Sequence, residues 1–241
     1  MLAAVAMLAL SCDDDGVRPD KKDIKFYMLV RDQGLPANGE VILYNLTDSL
    51  IEARFDTPPG LLSPHALAWD GESLWVGGAY STDSLYRIDP ADGTVQGVLP
   101  HIRTEGLATA ATTIWYSTVS PIADSLIQIS REGVRLRAIT VADPVVNDLD
   151  TDNEWLYYVV NDDTDRIVRV NWNSGAAADF ITNAVDGSQL YTIAVYGDFI
   201  YVIDNQTQGN TLRMFDRASG GFISDARVHV DRWITALRRV Q

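Results

Sequence analysis

Cysteine is nearly missing from this chain, with one residue, Cys12, in 241. Without a second thiol no internal disulfide can form, so packing must hold the fold. Long apolar runs are missing too. No stretch reaches the roughly 18–20 apolar residues of a spanning helix, which excludes a multi-pass helical membrane protein. Basic residues are scarce: 19 Lys and Arg stand against 33 Asp and Glu, a formal net charge of −14. Phosphate backbones and anionic lipid surfaces repel such a chain, so a nucleic-acid partner is a poor fit. There is no Gly-rich phosphate loop and no Gly-x-Ser-x-Gly elbow. The three histidines, His65, His101 and His229, show no metal-ligand spacing, so no metal and no cofactor is expected. What is present, 46% hydrophobic and 22% charged residues, suits one large globular domain.

The lone cysteine carries an address. Residues 1–11 are apolar and too short to span, and they run straight into Cys12-Asp-Asp-Asp. An apolar core, a small residue and an abrupt polar run form a secretory signal pattern cut before the cysteine. Ala9-Leu10-Ser11-Cys12 resembles the lipobox of bacterial lipoproteins, whose cysteine becomes lipidated. The basic residues usual at the start of a leader are missing from residues 1–11. The expected layout is a signal peptide over 1–11, an acidic flexible tether over 12–23, and one folded domain over 24–241. The address is extracytoplasmic, on a bacterial membrane facing the periplasm or at the cell surface.

The folded part repeats. Leu67, Leu107, Leu149, Ile193 and Leu237 are equivalent anchors, spaced by 40, 42, 44 and 44 residues. Each of the first four opens an apolar strand followed by an aromatic-rich one: Leu74-Trp-Val, Ile114-Trp-Tyr, Leu156-Tyr-Tyr and Ile200-Tyr-Val. Third strands such as Ser84-Leu-Tyr-Arg-Ile and Arg166-Ile-Val-Arg-Val follow, then turns rich in Asp, Asn and Gly. A unit of this length with four short strands and no helical periodicity is a propeller blade. The second-strand rings are expected to fill the wedges between blades. Three strands (Phe26–Val30, Val41–Tyr44, Ile51–Phe55) precede the first full unit, and one, Ile234–Val240, follows the last. Together they complete a fifth blade and close the ring, leaving no orphan blade edge. The prediction is an all-β, five-bladed β-propeller, monomeric, with its C-terminal strand paired to the N-terminal blade.

Inner strands of a propeller line a central channel. The residues two before each anchor, His65, Glu105, Asn147, Tyr191 and Thr235, share one ring position and form the candidate ligand site at the channel mouth. A glycosidase would need two opposed carboxylates, and only Glu105 lies at the ring, since Asp148 and Asp150 have the other strand parity. Asp148-x-Asp150-x-Asp152 hints at a calcium loop, but Asn153 and Val159 stand at the sixth and twelfth positions, where Gly and Glu belong. That run reads as a solvated hairpin turn, and 161–165 as an exposed acidic loop.

The units around Ser84-Leu-Tyr-Arg-Ile-Asp-Pro-Ala-Asp-Gly and Thr164-Asp-Arg-Ile-Val-Arg-Val-Asn-Trp-Asn-Ser-Gly resemble blades of five-bladed glutamine cyclotransferases. They also resemble blades of the non-enzymatic YVTN and NHL propellers. Thr104-Glu-Gly-Leu is similar to the cyclotransferase segment bearing the active-site glutamate, and Val146-Asn-Asp-Leu-Asp to the one bearing its asparagine. The resemblance implies Glu105 as an acid/base assisting attack of an N-terminal amine on a glutamine amide, with loss of ammonia. Where that family has Thr-Gln-Gly-Leu, this chain has Pro64-His-Ala-Leu, and the family's active-site lysine has no counterpart. Its glutamate and asparagine segments are also separated by an additional blade, whereas Glu105 and Asn147 open successive units. The leading expectation is therefore a lipid-anchored propeller that binds a peptide, protein or small ligand without catalysis. The alternatives are a glutaminyl-peptide cyclotransferase using Glu105, or a structural platform in a cell-surface complex.

Overall fold

Each repeat unit folds as one antiparallel four-stranded sheet, and the ring contains five of them. The structure, a computed structural model, describes residues 24–32, 39–61, 63–78, 84–118, 125–143, 146–160, 165–182, 190–206 and 209–240. The leader, Cys12 and the tether lie outside the described residues, as does 161–164.

The first blade contains β1 (Lys25–Arg31), β2 (Gly39–Asn45) and β3 (Leu50–Asp56). The second is β4 (Pro64–Trp69), β5 (Leu74–Gly78), β6 (Ser84–Ile88) and β7 (Val95–Pro100). The third is β8 (Leu107–Ala110), β9 (Thr113–Ser117), β10 (Ser125–Ser130) and β11 (Arg135–Thr140). The fourth is β12 (Asp148–Thr151), β13 (Trp155–Val160), β14 (Arg166–Asn171) and β15 (Ala177–Ile181). The fifth is β16 (Leu190–Tyr196), β17 (Phe199–Gln206), β18 (Gly209–Asp216) and β19 (Phe222–Val228). The last strand, β20 (Trp233–Arg239), returns to the first sheet in the order β20-β1-β2-β3, with Met28 opposite Leu237. Ring closure is as the strand count demanded.

Turn chemistry sets the blade ends. Between third and fourth strands, Gly93, Gly175 and Gly220 take positive φ and donate to the carbonyls of Asp89, Asn171 and Asp216 at 2.9, 2.8 and 2.8 Å. Only glycine adopts that backbone without a Cβ penalty. Packing runs from blade to blade. Phe26, Met28 and Tyr44 face Tyr201, Ile203 and Leu212 of the fifth blade. Tyr27, Leu29 and Val41 face Leu67, Leu74 and Val76 of the second. Successive residues of β1 thus point into different wedges, which is why inner strands read as unbroken apolar runs rather than alternating ones. The second-strand rings are wedge fillers as expected, with Trp115, Tyr158 and Tyr201 almost wholly buried.

Three local expectations need correction. Asp148 to Thr151 is not a solvated turn but the buried inner strand β12. Asp165 is buried, not exposed, because it sits at the entry to β14. Closure also leaves edges: β3, β7, β11, β15 and β19 each end a sheet. Charged side chains occupy several of them, among them Glu52 and Arg54 on β3 and Arg135 and Arg137 on β11, which discourages strand addition.

Candidate functional site at the channel mouth

The five inner strands β20, β4, β8, β12 and β16 run in one sense and stand side by side around the axis. Their N-terminal ends define a first mouth and their C-terminal ends a second. At the first mouth, Glu105 and Asn147 precede their strands rather than lying in them. Glu105 is fixed by its neighbours: the Thr104 hydroxyl donates to the Gly106 carbonyl at 2.6 Å, and the Gly106 N–H donates to Ser117 Oγ at 2.8 Å. A Cβ on Gly106 would meet the Asp148 backbone at 2.8 Å, so glycine allows the third and fourth blades to touch.

The structure brings three of the five ring residues, His65, Glu105 and Tyr191, into one polar neighbourhood with Arg31. His65 Nδ1 lies 3.5 Å from Glu105 Oε2. Burial, with the nearby Arg31 guanidinium, holds His65 down to about 4, so the imidazole is neutral at neutral pH and the contact is not an ion pair. The Tyr191 hydroxyl is raised by burial and by Glu105, while Arg31, hydrogen-bonded to it, pulls the other way. Asn147 is half buried, and its Nδ2 is sealed from solvent without an acceptor. On β16, the Thr192 hydroxyl is fully buried and also has no hydrogen-bond partner. Thr235 is engaged elsewhere: its hydroxyl is shared between the carbonyls of Leu29 at 3.3 Å and Pro64 at 3.2 Å.

Ring-position reasoning misses two members. Arg31 ends β1, not an inner strand, yet its guanidinium carbon stands 5.2 Å from the centre of the Trp233 ring, and Trp233 in turn packs on Tyr191 at 5.2 Å. Arg31 is only 5% exposed. The pairing Arg31↔Trp233 follows from ring closure, so the closing strand was the available signal.

Deeper in, the channel is shut. Arg238 on β20 grips both carboxylate oxygens of Asp148, at 2.9 and 3.1 Å. The same guanidinium donates to the carbonyls of Ile193 and Leu149, each at 2.8 Å, and of Leu107. Those are three of the repeat anchors, so one side chain from the first blade reaches the inner strands of the third, fourth and fifth at mid-height. Asp148 and Asp150, two apart on one strand face, also accept the backbone N–H groups of Ile193 at 3.1 Å and Val195 at 2.8 Å. Burial pushes Asp148 up to about 6, with Arg238 opposing. The two aspartates keep Arg238 protonated above its ordinary value despite burial.

No family model matches the chain. A 183-residue stretch is 29% identical to actin-interacting protein 1 of Drosophila melanogaster, covering 68% of this chain and 28% of that relative's length. Among solved structures, the chain is similar to one in a nidogen/laminin complex, with a TM-score of 0.60 and 12% identity over 90% of this chain and 98% of that one. A Bacteroides caccae protein of unknown function gives a TM-score of 0.55 at 12% identity over 90% and 99% of the two chains. The glutaminyl cyclase of Myxococcus xanthus gives 0.52 at 13% identity over 74% and 70%. At these identities the likenesses show the fold. This is a five-bladed β-propeller.

Proposed function

We propose that this propeller is a lipid-anchored, extracytoplasmic binding module whose first channel mouth holds a peptide, a protein segment or a small ligand without transforming it. The observation that carries the reading is the cluster at that mouth, where His65 Nδ1 stands 3.5 Å from Glu105 Oε2 and the buried Arg31 is hydrogen-bonded to Tyr191. Proton chemistry has few agents here. His65, held to about 4, stays neutral. Glu105 is then the single ring carboxylate able to shuttle a proton.

The second reading, a glutaminyl-peptide cyclotransferase acting through Glu105, is favoured by the Myxococcus xanthus glutaminyl cyclase among the structural neighbours. Mass spectrometry separates the two. Incubated with a peptide carrying N-terminal glutamine, the binding module leaves the mass unchanged. Loss of ammonia that disappears in Glu105→Gln would replace the first reading with the second. For the anchor, Cys12→Ala is expected to move the protein from the detergent-extracted membrane fraction to the soluble one, and unchanged partitioning contradicts acylation.

A further inference from the structure

Each of the five sheets ends in an outer strand with no further strand beside it. Such an edge is a template for pairing with another chain unless something blocks it. A register shift interrupts the last strand pair of every blade, so bulges do not distinguish the five edges. Charge does. β3 carries Glu52, Arg54 and Asp56, β11 carries Arg135 and Arg137, β15 carries Asp179, and β19 carries Asp225 and Arg227. β7, Val95-Gln-Gly-Val-Leu-Pro, carries none, in a chain whose net charge is −14.

The side chains of β7 divide between two faces. Leu99, opposite Leu85, packs into the wedge with the third blade, where a Cβ on Gly133 would lie 3.4 Å from it. The register shift sets Val95 opposite Ile88 and Val98 opposite Tyr86, two residues that share the other face, so the two valines share it as well. Val95 is 41% exposed and Val98 47%, which makes β7 the one described strand with two exposed large apolar side chains. Gln96 does not guard the edge, because its amide is engaged by Ser73 at 2.9 Å and Asp89 at 3.2 Å. What docks here must bring an open strand edge free of charge, and β7 of a second copy is such an edge.

We infer that β7 is the contact strand of a symmetric dimer, pairing antiparallel with β7 of a second copy. A twofold axis normal to the sheet joins the two second blades into one continuous sheet and keeps its faces together, so the valines of both copies lie on one side. The same operation on β11 would bring arginines against arginines, which like-charge repulsion opposes. Six residues per copy make a small contact beside the roughly 1,200–2,000 Å² of a standard interface, and both copies are acidic. The dimer is therefore weak and strengthens with salt. It is independent of the first-mouth reading, because β7 is the outermost strand of its blade. Sedimentation equilibrium of the full chain carrying Cys12→Ala, which removes the native thiol, tests it. The mass is expected to rise from 26.6 kDa toward that of two chains, with a Kd between about 1 μM and 1 mM. Val98→Lys is expected to weaken the dimer at least about tenfold while keeping the melting temperature. Leu136→Lys, at a comparably exposed site on β11, leaves it unchanged. A chain that stays monomeric at about 1 mM overturns the inference and leaves the edge to a foreign strand or to solvent. Association that survives Val98→Lys, falls equally with Leu136→Lys, or weakens as salt is raised overturns it too.

Discussion

The middle of the channel and its first mouth use charge in contrasting ways. At mid-channel, Arg238, Asp148 and Asp150 satisfy one another and the backbone of three blades, so their charges hold the ring together. At the first mouth, Arg31 lies on an aromatic face with a single neutral phenol as hydrogen-bond partner, and Asn147 Nδ2 has no acceptor, so these groups are not balanced by opposite charge. A polar cluster that closes on itself is architecture. One that is left short of partners is a candidate site. Both arise from a strand ring that is apolar almost everywhere else.

The largest effect expected is from removing residues 233–241. That deletes β20, and with it Arg238 and the burial of Ile234, Ala236 and Leu237. Large buried apolar side chains contribute roughly 1.5–3 kcal/mol each, and a domain has only about 5–15 kcal/mol in all. Thermal unfolding should show no cooperative transition, whereas deleting an equal length from the tether, 13–21, should leave melting unchanged. A cooperative melt of the first truncation would mean that closure is not what stabilises the ring.

Next in size is pH. The folded state keeps His65 unprotonated down to about 4, while the unfolded chain protonates it at 6.5. Its contribution is therefore present above pH 6.5 and lost as pH falls toward 4, by about 3 kcal/mol at most. Asp148 has the opposite sign. The folded state takes its proton at about 6 and the unfolded chain at 3.8, so its contribution is present below 3.8 and lost as pH rises through 6. Between pH 4 and 6 the two offset each other. Urea unfolding across that range should therefore show the stability of His65→Gln relative to wild type rising as pH falls. Parallel profiles would contradict the assignment of a buried neutral imidazole to the mouth.

The smallest effect is expected at Asn147. Replacing an amide whose donor is unmet, as in Asn147→Leu, should leave the ligand-free melting temperature unchanged or slightly raised, because nothing is lost. A fall of several degrees would show that the amide has structural duties.

Much of this fold was legible because period and pattern agree. Anchors such as Leu67 and Leu149 fall at equivalent heights, and the three-plus-one strand count demanded that β20 pair with β1. The site was legible only in part. His65, Glu105, Asn147 and Tyr191 lie at the mouth because ring position fixes height. Thr235 shares that position, yet its hydroxyl is taken by neighbouring carbonyls, which height alone does not reveal. Arg31 reaches the mouth from a second strand, across a contact that exists only after closure. Arg238 was discoverable: Asp148 and Asp150 share one face of a buried strand, and buried carboxylates need a cation. The parity used to set those aspartates aside from the ring was the clue to their partner on the last strand.

Arg238 ties the closing strand to the rest of the ring. A double-mutant cycle at pH 7.5 measures that tie directly, using urea unfolding of wild type, Arg238→Met, Asp148→Asn and the double variant. Breaking a buried pair from one side typically costs about 3–5 kcal/mol, because the remaining charge is stranded. Arg238→Met is expected to cost that much, with its loss coupled to Asp148 by at least about 2 kcal/mol. Single losses that add to the double within about 0.5 kcal/mol would contradict it.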